Sequence, residues 1–368
     1  MSAGKKTSIT PSKSGAETGR AGWDYPWAEL DDPALLQWRI RDLKVEIRGS
    51  VLEGRIQRLY VELREKGVAF QPPCYLSTEW LCPDRVPAIG IPFYLAHPRL
   101  IRLERTMMLE AEGDTENECM KLLRHEAGHA INYAYRLYRR SRWRELFGPI
   151  SKDYDPHSYY HHPYSRKYVV HLRDNYAQAH PDEDFAETFA VWLTPALNWK
   201  ERYRRSPAIL RKLNYVDHLM QGIGVKPPSV VLGRRYWHWA ASRSRSTLES
   251  YFKNKRREYA SAYAGYYDPV LRRLFTDRPM NDDMEKAFPF LNRHRKRLRN
   301  EVAYWLRIPK YSADDMIRRL TQRARELDLY LRADEKESIF SVGVCITALV
   351  LEARDQYVRD LQEEEKTT

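Results

Sequence analysis

The sequence predicts a mostly helical α+β protein with a small, irregular sheet and a helical C-terminal region. Apolar residues recur at helical spacing over long stretches, as in residues 33–66, where Leu35 and Leu36 begin the pattern. Prolines instead divide residues 68–104 into short apolar runs, which are typical of short strands with irregular connections. The chain has no internal repeat period, so a solenoid is disfavoured.

Three elements of this fold can be assigned in chain order. In the proline-rich region, the runs AIGIPFYL and LIRLER are predicted to be strands, and Pro92 in the first run suits an edge strand. Further on, Thr115 is expected to cap a helix whose first turn holds Glu116 and Glu118. We expect that helix to continue to about Arg139.

Composition limits the class of protein. The chain has 368 residues, of which 43% are hydrophobic, enough for one large or two modest globular units. Its longest apolar run, residues 339–351, is shorter than the roughly 20 residues that cross a bilayer, so no membrane association is expected. The four cysteines form no CxxC pair, which disfavours a disulfide framework or a cysteine zinc ribbon. A reducing, cytoplasmic location is therefore expected.

The stretch LLRHEAGHAINYAY, residues 122–135, carries the first motif with chemical meaning. His125 and His129 lie four positions apart, so on a helix both imidazoles point to one side and can bind one ion. Glu126 is turned about 100° from His125, which can place its carboxylate beside a metal-activated water as general base. An HExxH motif also arises by chance, so a third ligand is required downstream.

The stretch NYAQAHPDEDFAETFAVWL, residues 175–193, offers that ligand. Pro181 is predicted to open a helix, on which Glu183 and Glu187 are four positions apart and share a side. One of them can bind the metal while the other hydrogen-bonds a ligand histidine, but helix phase alone does not choose between them. The alternative is that both acids lie on a solvated helix face. Phe189 and Trp192 are assigned to the core.

The two motifs together resemble the gluzincin zinc metallopeptidases, in which the third ligand is a glutamate on a second helix, often within E-x-F-A. More narrowly, LLRHEAGHAINY and AHPDEDFAETFAVWL are similar to a bacterial zinc-binding metallopeptidase family with an HPxEDxAET segment. The resemblance covers roughly residues 85–200. It implies a zincin-like domain, Zn²⁺ as the cofactor, Glu183 as the third ligand and Glu187 as the partner of a ligand histidine.

The resemblance also raises two further expectations. Some gluzincins place a tyrosine seven residues before the metal glutamate, where its hydroxyl can stabilise an oxyanion or protonate the leaving amine. Here that position is Tyr176, although a chain with 25 tyrosines can match it by coincidence. Zinc peptidases also keep a substrate-binding edge strand upstream of the motif. In this chain that strand would lie within VPAIGIPFYLAHPRLIRLER, and a covered strand is the alternative.

Two regions outside the motifs allow more than one interpretation. The segment 141–174 is rich in His and Tyr, and its histidines either line the cleft or are solvated; they are His157, His161, His162 and His171. Between Arg234 and Arg299 there are 17 Lys and Arg against 7 Asp and Glu. This excess could receive an acidic protein or nucleic acid, or it could be the solvated face of amphipathic helices.

We therefore predict three parts: a flexible polar tail at 1–22, a zincin-like metallopeptidase domain at 23–225 and a basic helical region at 226–368. The expected activity is zinc-dependent hydrolysis of peptide bonds in a peptide or protein substrate, with Glu126 as base. Two alternatives stay open. One is a nucleic-acid-associated zinc protease recruited by the basic region. The other is a non-catalytic interaction protein that zinc stabilises. The sequence does not predict the oligomeric state.

Overall fold

The computed structural model describes residues 25–152, 165–230, 238, 240–261, 267–279 and 283–367; for residues 173, 174, 258–261 and 353–367 it describes the backbone only. The predicted N-terminal tail and three of the four histidines of segment 141–174, His157, His161 and His162, lie outside these residues.

Helices dominate the described part of the chain. They are α1 (Asp32–Leu36), α2 (Val51–Glu65), α3 (Pro98–Met108), α4 (Glu116–Ala134), α5 (Ser141–Phe147), α6 (Pro181–Leu193), α7 (Trp199–Arg202), α8 (Pro207–Ile223), α9 (Leu248–Ser261), α10 (Asp268–Leu274), α11 (Ala287–Leu306), α12 (Lys310–Glu326) and α13 (Glu335–Thr367). The strands are β1 (Cys74–Ser77), β2 (Ile89–Pro92), β3 (Phe275–Thr276) and β4 (Tyr330–Leu331). The predicted mostly helical α+β class is confirmed.

The small sheet beside the first motif is parallel and covered. Strand β1 pairs with β2 in the register Tyr75 to Gly90. On the other side of β2, the Gly90 N–H donates to the Leu81 carbonyl at 2.8 Å, and the Leu81 N–H donates back to the Gly90 carbonyl at 3.2 Å. Backbone groups on both edges of β2 are thus paired around Gly90. This is the covered strand, the alternative to a substrate-binding edge.

The predicted strand in LIRLER is wrong, because these residues lie in helix α3. Pro98 occupies the first turn, where its missing N–H costs nothing. The imidazole of His97 caps the helix, since Nδ1 accepts a hydrogen bond from the Arg99 N–H at 3.1 Å. Leu100 and Leu103, three positions apart, are buried on one face of the helix.

Helices α4 and α6 form the centre of the first hydrophobic core. Helix α4 begins as predicted, because the Thr115 side chain accepts a hydrogen bond from the Glu118 N–H at 3.2 Å. It ends at Ala134 rather than near Arg139, since Arg136 adopts a left-handed conformation with φ of 50°. The two helices touch at Gly128, where an added Cβ would lie 2.7 Å from the Ala186 Cα. Only glycine permits an approach this close.

A second hydrophobic core is built from α10 to α13, with Phe290 of α11, Met316 of α12 and Ile346 of α13 among its buried residues. Helix α9 lies beyond the predicted boundary at 225, but Leu248 and Phe252 of this helix pack into the first core. The division into a domain at 23–225 and a region at 226–368 stays a prediction. Among the helices of the described ranges, none combines the length and apolar composition needed to cross a bilayer.

Candidate metal centre

His125 and His129 point to the same side of α4, as their spacing predicts. Both imidazoles are buried, with 3% and 7% of their residue surface exposed, and their Nε2 atoms lie 3.1 Å apart. The rings are nearly perpendicular, at 74°. Two ring nitrogens therefore meet at one point inside the first core.

Glu183 of α6 is the third residue of this cluster. Its Oε2 lies 3.1 Å from Nε2 of His125 and 3.1 Å from Nε2 of His129. Zinc bonds of about 2.0–2.1 Å at tetrahedral angles hold neighbouring ligand atoms about 3.3 Å apart. The three atoms are already close to that separation, so the cluster is compatible with zinc. Glu187, by contrast, does not reach either Nε2 atom; it binds the far side of His125.

The second nitrogen of each histidine contacts a carboxylate. Nδ1 of His125 lies 2.9 Å from Oε1 of Glu187, and Nδ1 of His129 lies 3.0 Å from Oδ2 of Asp182. A carboxylate beside Nδ1 keeps the proton on that nitrogen, so the lone pair of Nε2 is left for a metal. The two carboxylates thereby orient both rings toward the cluster.

Asp182 was missed as a site residue in the sequence, where an acid in the first turn of a helix is fully explained by the helix dipole. The structure shows that it is held by α4. The Asn132 side-chain amide donates to Oδ1 at 2.6 Å, and the Tyr133 hydroxyl donates to Oδ2 at 2.5 Å. Asn132 and Tyr133 follow His129 by three and four positions, and this spacing is the signal that could have indicated the network.

Glu187 is held by the backbone of the segment that precedes α6. Its Oε2 accepts hydrogen bonds from the backbone N–H groups of His171 and Leu172 at 3.1 and 2.9 Å. Glu183 and Glu187 are both buried, so the alternative of a solvated helix face is wrong. The His171 ring is part of this support, because its Nε2 lies 3.0 Å from the Lys121 carbonyl. His171 therefore binds the protein frame and does not join the cluster.

Glu126 lies next to the cluster with an unsatisfied carboxylate oxygen. The residue is buried, and within the described residues its Oε2 has no hydrogen-bond partner. Burial raises the pKa of Glu126, and the nearby charges of His125 and His129 only partly oppose this. A buried polar atom without a partner costs about 1–3 kcal/mol, and a role in catalysis is one explanation for an atom that is kept in this state.

Tyr176 lies close to the cluster, in the 3-10 helix Arg173–Gln178. The centre of its ring is 5.7 Å from that of His125. The tyrosine singled out by the resemblance is therefore a neighbour of the first histidine. Phe189 and Trp192, which were assigned to the core, are both buried there.

The pKa values of the cluster show that its histidines and carboxylates share protons through hydrogen bonds. Burial would lower the pKa of His125, but hydrogen bonds to Glu183 and Glu187 outweigh it and raise the pKa to about 9. The pKa of His129 is also raised, because the charges of Glu183 and Asp182 outweigh burial. Burial opposes ionisation of Glu183, yet the neighbouring histidines hold its pKa below the usual range. Carboxylates that favour protonated histidines equally favour a divalent cation.

Two histidines on one helix, a glutamate on a second helix and an acid beside the first histidine are the features of gluzincin-type zinc metallopeptidases. A family comparison narrows this class. Residues 107–199 match the model of a family described as "Putative zinc-binding metallo-peptidase". The matched segment contains His125, His129 and Glu183, and the resemblance predicted from the two motifs is confirmed. The comparisons with curated proteins and with solved structures give no match.

Proposed function

We propose that this protein is a zinc-dependent peptidase, in which His125, His129 and Glu183 hold the metal and Glu126 is the general base. The observation that carries the proposal is the meeting of three ligand atoms beside a buried, unpartnered carboxylate oxygen. A purely structural zinc site is closed by four protein ligands and has no use for such an oxygen.

Bound zinc supplies Lewis acidity, which lowers the pKa of water and polarises a carbonyl group. The proton transfers of the reaction can be assigned to Glu126. Glu126 accepts the proton of the water whose oxygen forms a bond to the carbonyl carbon. It then gives this proton to the amine nitrogen as the C–N bond breaks, so no proton is gained or lost overall.

Three more side chains have supporting roles in this proposal. Asp182 and Glu187 keep the histidine rings oriented, as their contacts to the two Nδ1 atoms indicate. Tyr176 donates a hydrogen bond to the oxyanion that forms from the carbonyl oxygen, a role consistent with its place beside His125.

The test compares the full chain with Glu126→Gln on a pool of peptides, while new termini are detected by mass spectrometry and zinc by elemental content. Glu126→Gln is expected to keep its zinc and to lose about 10²–10⁴-fold in cleavage rate, because the amide cannot accept the proton. Tyr176→Phe is expected to keep its zinc and to have a lower kcat. Glu116→Gln, an exposed change on the same helix, is the control and retains activity.

Zinc-loaded protein that cleaves nothing in the pool would favour the non-catalytic alternative. The nucleic-acid-associated alternative is not tested by the described contacts, although some basic side chains of the C-terminal region pair with acids of the same region. Arg323 binds Asp268 at 2.6 and 2.7 Å, and Arg293 binds Glu285 at 2.6 and 2.9 Å. Each such pair cancels one positive and one negative charge, so the net excess of basic residues remains. A salt-sensitive interaction with a polyanion would therefore support this alternative.

A further inference from the structure

Lys212 of α8 is a buried lysine close to the metal centre but outside the motifs. Its Nζ donates to Oδ2 of Asp184 at 2.5 Å and to the backbone carbonyl of Lys167 at 2.9 Å. The same Nζ lies 4.3 Å from the centre of the Tyr168 ring. One ammonium group thus joins three parts of the chain: α8, α6 and the segment 165–172.

The segment 165–172 is fixed at its other end by the metal centre. The N–H groups of His171 and Leu172 donate to Glu187, and the His171 ring meets the Lys121 carbonyl of α4. Lys212 holds the beginning of the segment against α6, and residues 171 and 172 hold its end against the same helix. His171 follows Lys167 by only four positions, so the anchor at Lys167 restricts where these two N–H groups can lie.

We infer that Lys212 is a positioning residue for the metal centre: it anchors the segment whose N–H groups hold Glu187, and Glu187 in turn orients His125. The inference rests on the proposed function, since it assumes that His125 is a ligand. Three links are hydrogen bonds of ordinary length: Lys212 donates to the Lys167 carbonyl, the Leu172 N–H donates to Glu187, and Nδ1 of His125 donates to Glu187. The backbone of residues 167–172 connects the first of these bonds to the second.

A lysine suits this place because its ammonium group has three donors, which can serve a carboxylate and a carbonyl at once. Asp184 is almost fully buried, with 1% of its surface exposed. A methionine at position 212 would fill a similar volume but would leave Asp184 unpaired and the Lys167 carbonyl without its donor. Breaking a buried pair in this way is strongly destabilising in general, so stability alone cannot test the inference.

The chain offers a matched control in Lys255 of α9. Its Nζ donates to Oε1 of Glu104 at 2.7 Å, and Glu104 is as deeply buried as Asp184. Aromatic rings flank this lysine also, with Tyr94 and Tyr251 each 5.6 Å from Nζ. The pair connects α9 to α3 rather than to α6. Lys255→Met therefore removes the same kind of interaction without touching the support of Glu187.

The experiment measures zinc affinity of the full chain by competition with a chelator, for the unsubstituted protein, Lys212→Met and Lys255→Met. We expect both variants to lose stability, whereas only Lys212→Met loses about tenfold in zinc affinity, the lower end of the loss for outer partners of metal-binding histidines. The visible absorption of bound Co²⁺ should change in Lys212→Met alone, because it reports the ligand geometry. Lys212→Met/Asp184→Asn, which leaves no unpaired carboxylate, replaces the single variant if that one does not fold.

Equal zinc affinity and an unchanged Co²⁺ spectrum in the Lys212 variants would overturn the inference while leaving the proposed function intact. An equal loss in Lys255→Met would also overturn it, since the effect would then come from lower stability. Failure of the unsubstituted protein to bind zinc would contradict the proposed function itself, so the two failures are distinguishable.

Discussion

Each histidine of the cluster shares protons with carboxylates on both of its nitrogens. His125 lies between Glu187 and Glu183, and His129 lies between Asp182 and the same Glu183. Without a metal, these contacts favour the protonated imidazoles, and the pKa of His125 rises to about 9. A metal must displace the protons on the two Nε2 atoms before it can bind there.

The pH dependence of zinc binding follows from this competition. Both histidine pKa values are raised, so the protons stabilise the metal-free fold below the usual pKa of about 6.5. The contribution of His125 is lost as pH rises through about 9, and that of His129 is lost at its own raised pKa. Zinc affinity should therefore increase by about tenfold per pH unit for each proton displaced, up to about pH 9. Chelator competition between pH 6 and pH 9 measures this slope. A plateau that begins at pH 7 would contradict the prediction.

The sequence predicted part of this arrangement at the level of single residues. Spacing alone indicated His125, Glu126 and His129, because helical periodicity places them relative to one another. The choice of Glu183 over Glu187 came only from the family resemblance, since both share a helix face. Asp182 was missed because its contact with His129 depends on how α4 and α6 pack, and the spacing of Asn132 and Tyr133 alone does not identify the carboxylate that they bind.

At the scale of elements, the site depends on the close crossing of α4 and α6. Gly128 lies between His125 and His129 in sequence, and a Cβ at this position would lie 2.7 Å from the Ala186 Cα. Ala186 lies between Glu183 and Glu187. The point of closest approach is thus flanked on α4 by the two histidines of the cluster and on α6 by Glu183 and by Glu187, the partner of His125. The distance between the helices therefore sets the distance between the cluster atoms.

Gly128→Ala should destabilise the protein and weaken zinc binding. The new methyl group must push α6 away, and overpacking of this kind costs about 1–3 kcal/mol, which exceeds the gain of about 0.5–1 kcal/mol from replacing a helical glycine. Gly54→Ala is the control, since that glycine lies on α2 with nothing within 4 Å of an added Cβ, and it should gain stability. Urea unfolding and zinc titration measure both effects. A stabilised Gly128→Ala variant would disprove the tight crossing.

The elements themselves were predicted unevenly. Helix α4 was placed correctly at its start because a threonine cap and acids in the first turn are local signals. The run LIRLER was assigned to a strand although it forms α3. Six residues are too few to separate the two periodicities, and the His-Pro cap that settles the matter was not recognised.

At the scale of the whole molecule, the metal centre places several acids in the interior of the first core. Glu126, Asp182, Glu183 and Glu187 are all buried around two histidines. Uncompensated charge in a protein interior is costly. A divalent cation would neutralise part of the negative charge and would give the carboxylate and imidazole groups a partner. Metal binding should therefore stabilise the folded chain.

Removal of zinc should lower the melting temperature of the full chain. Free zinc at 100 times its Kd contributes about 2.7 kcal/mol of stability to a protein that binds it only when folded. We expect a chelator to lower the Tm in thermal scans at constant pH, and the effect should vanish in Glu183→Ala, which lacks one ligand. A chelator effect of the same size in that variant would show that zinc acts elsewhere on the chain.

The backbone pairing between Leu81 and Gly90 affects how a substrate can be chosen. Adding a peptide as an extra strand secures it through main-chain groups that all sequences share. Around Gly90 the backbone groups of β2 are already paired on both sides, so a peptide cannot bind to them as an added strand. For the proposed peptidase, selection among substrates would then depend on their side chains or termini, which favours a narrow set of cleaved sequences over general protein degradation.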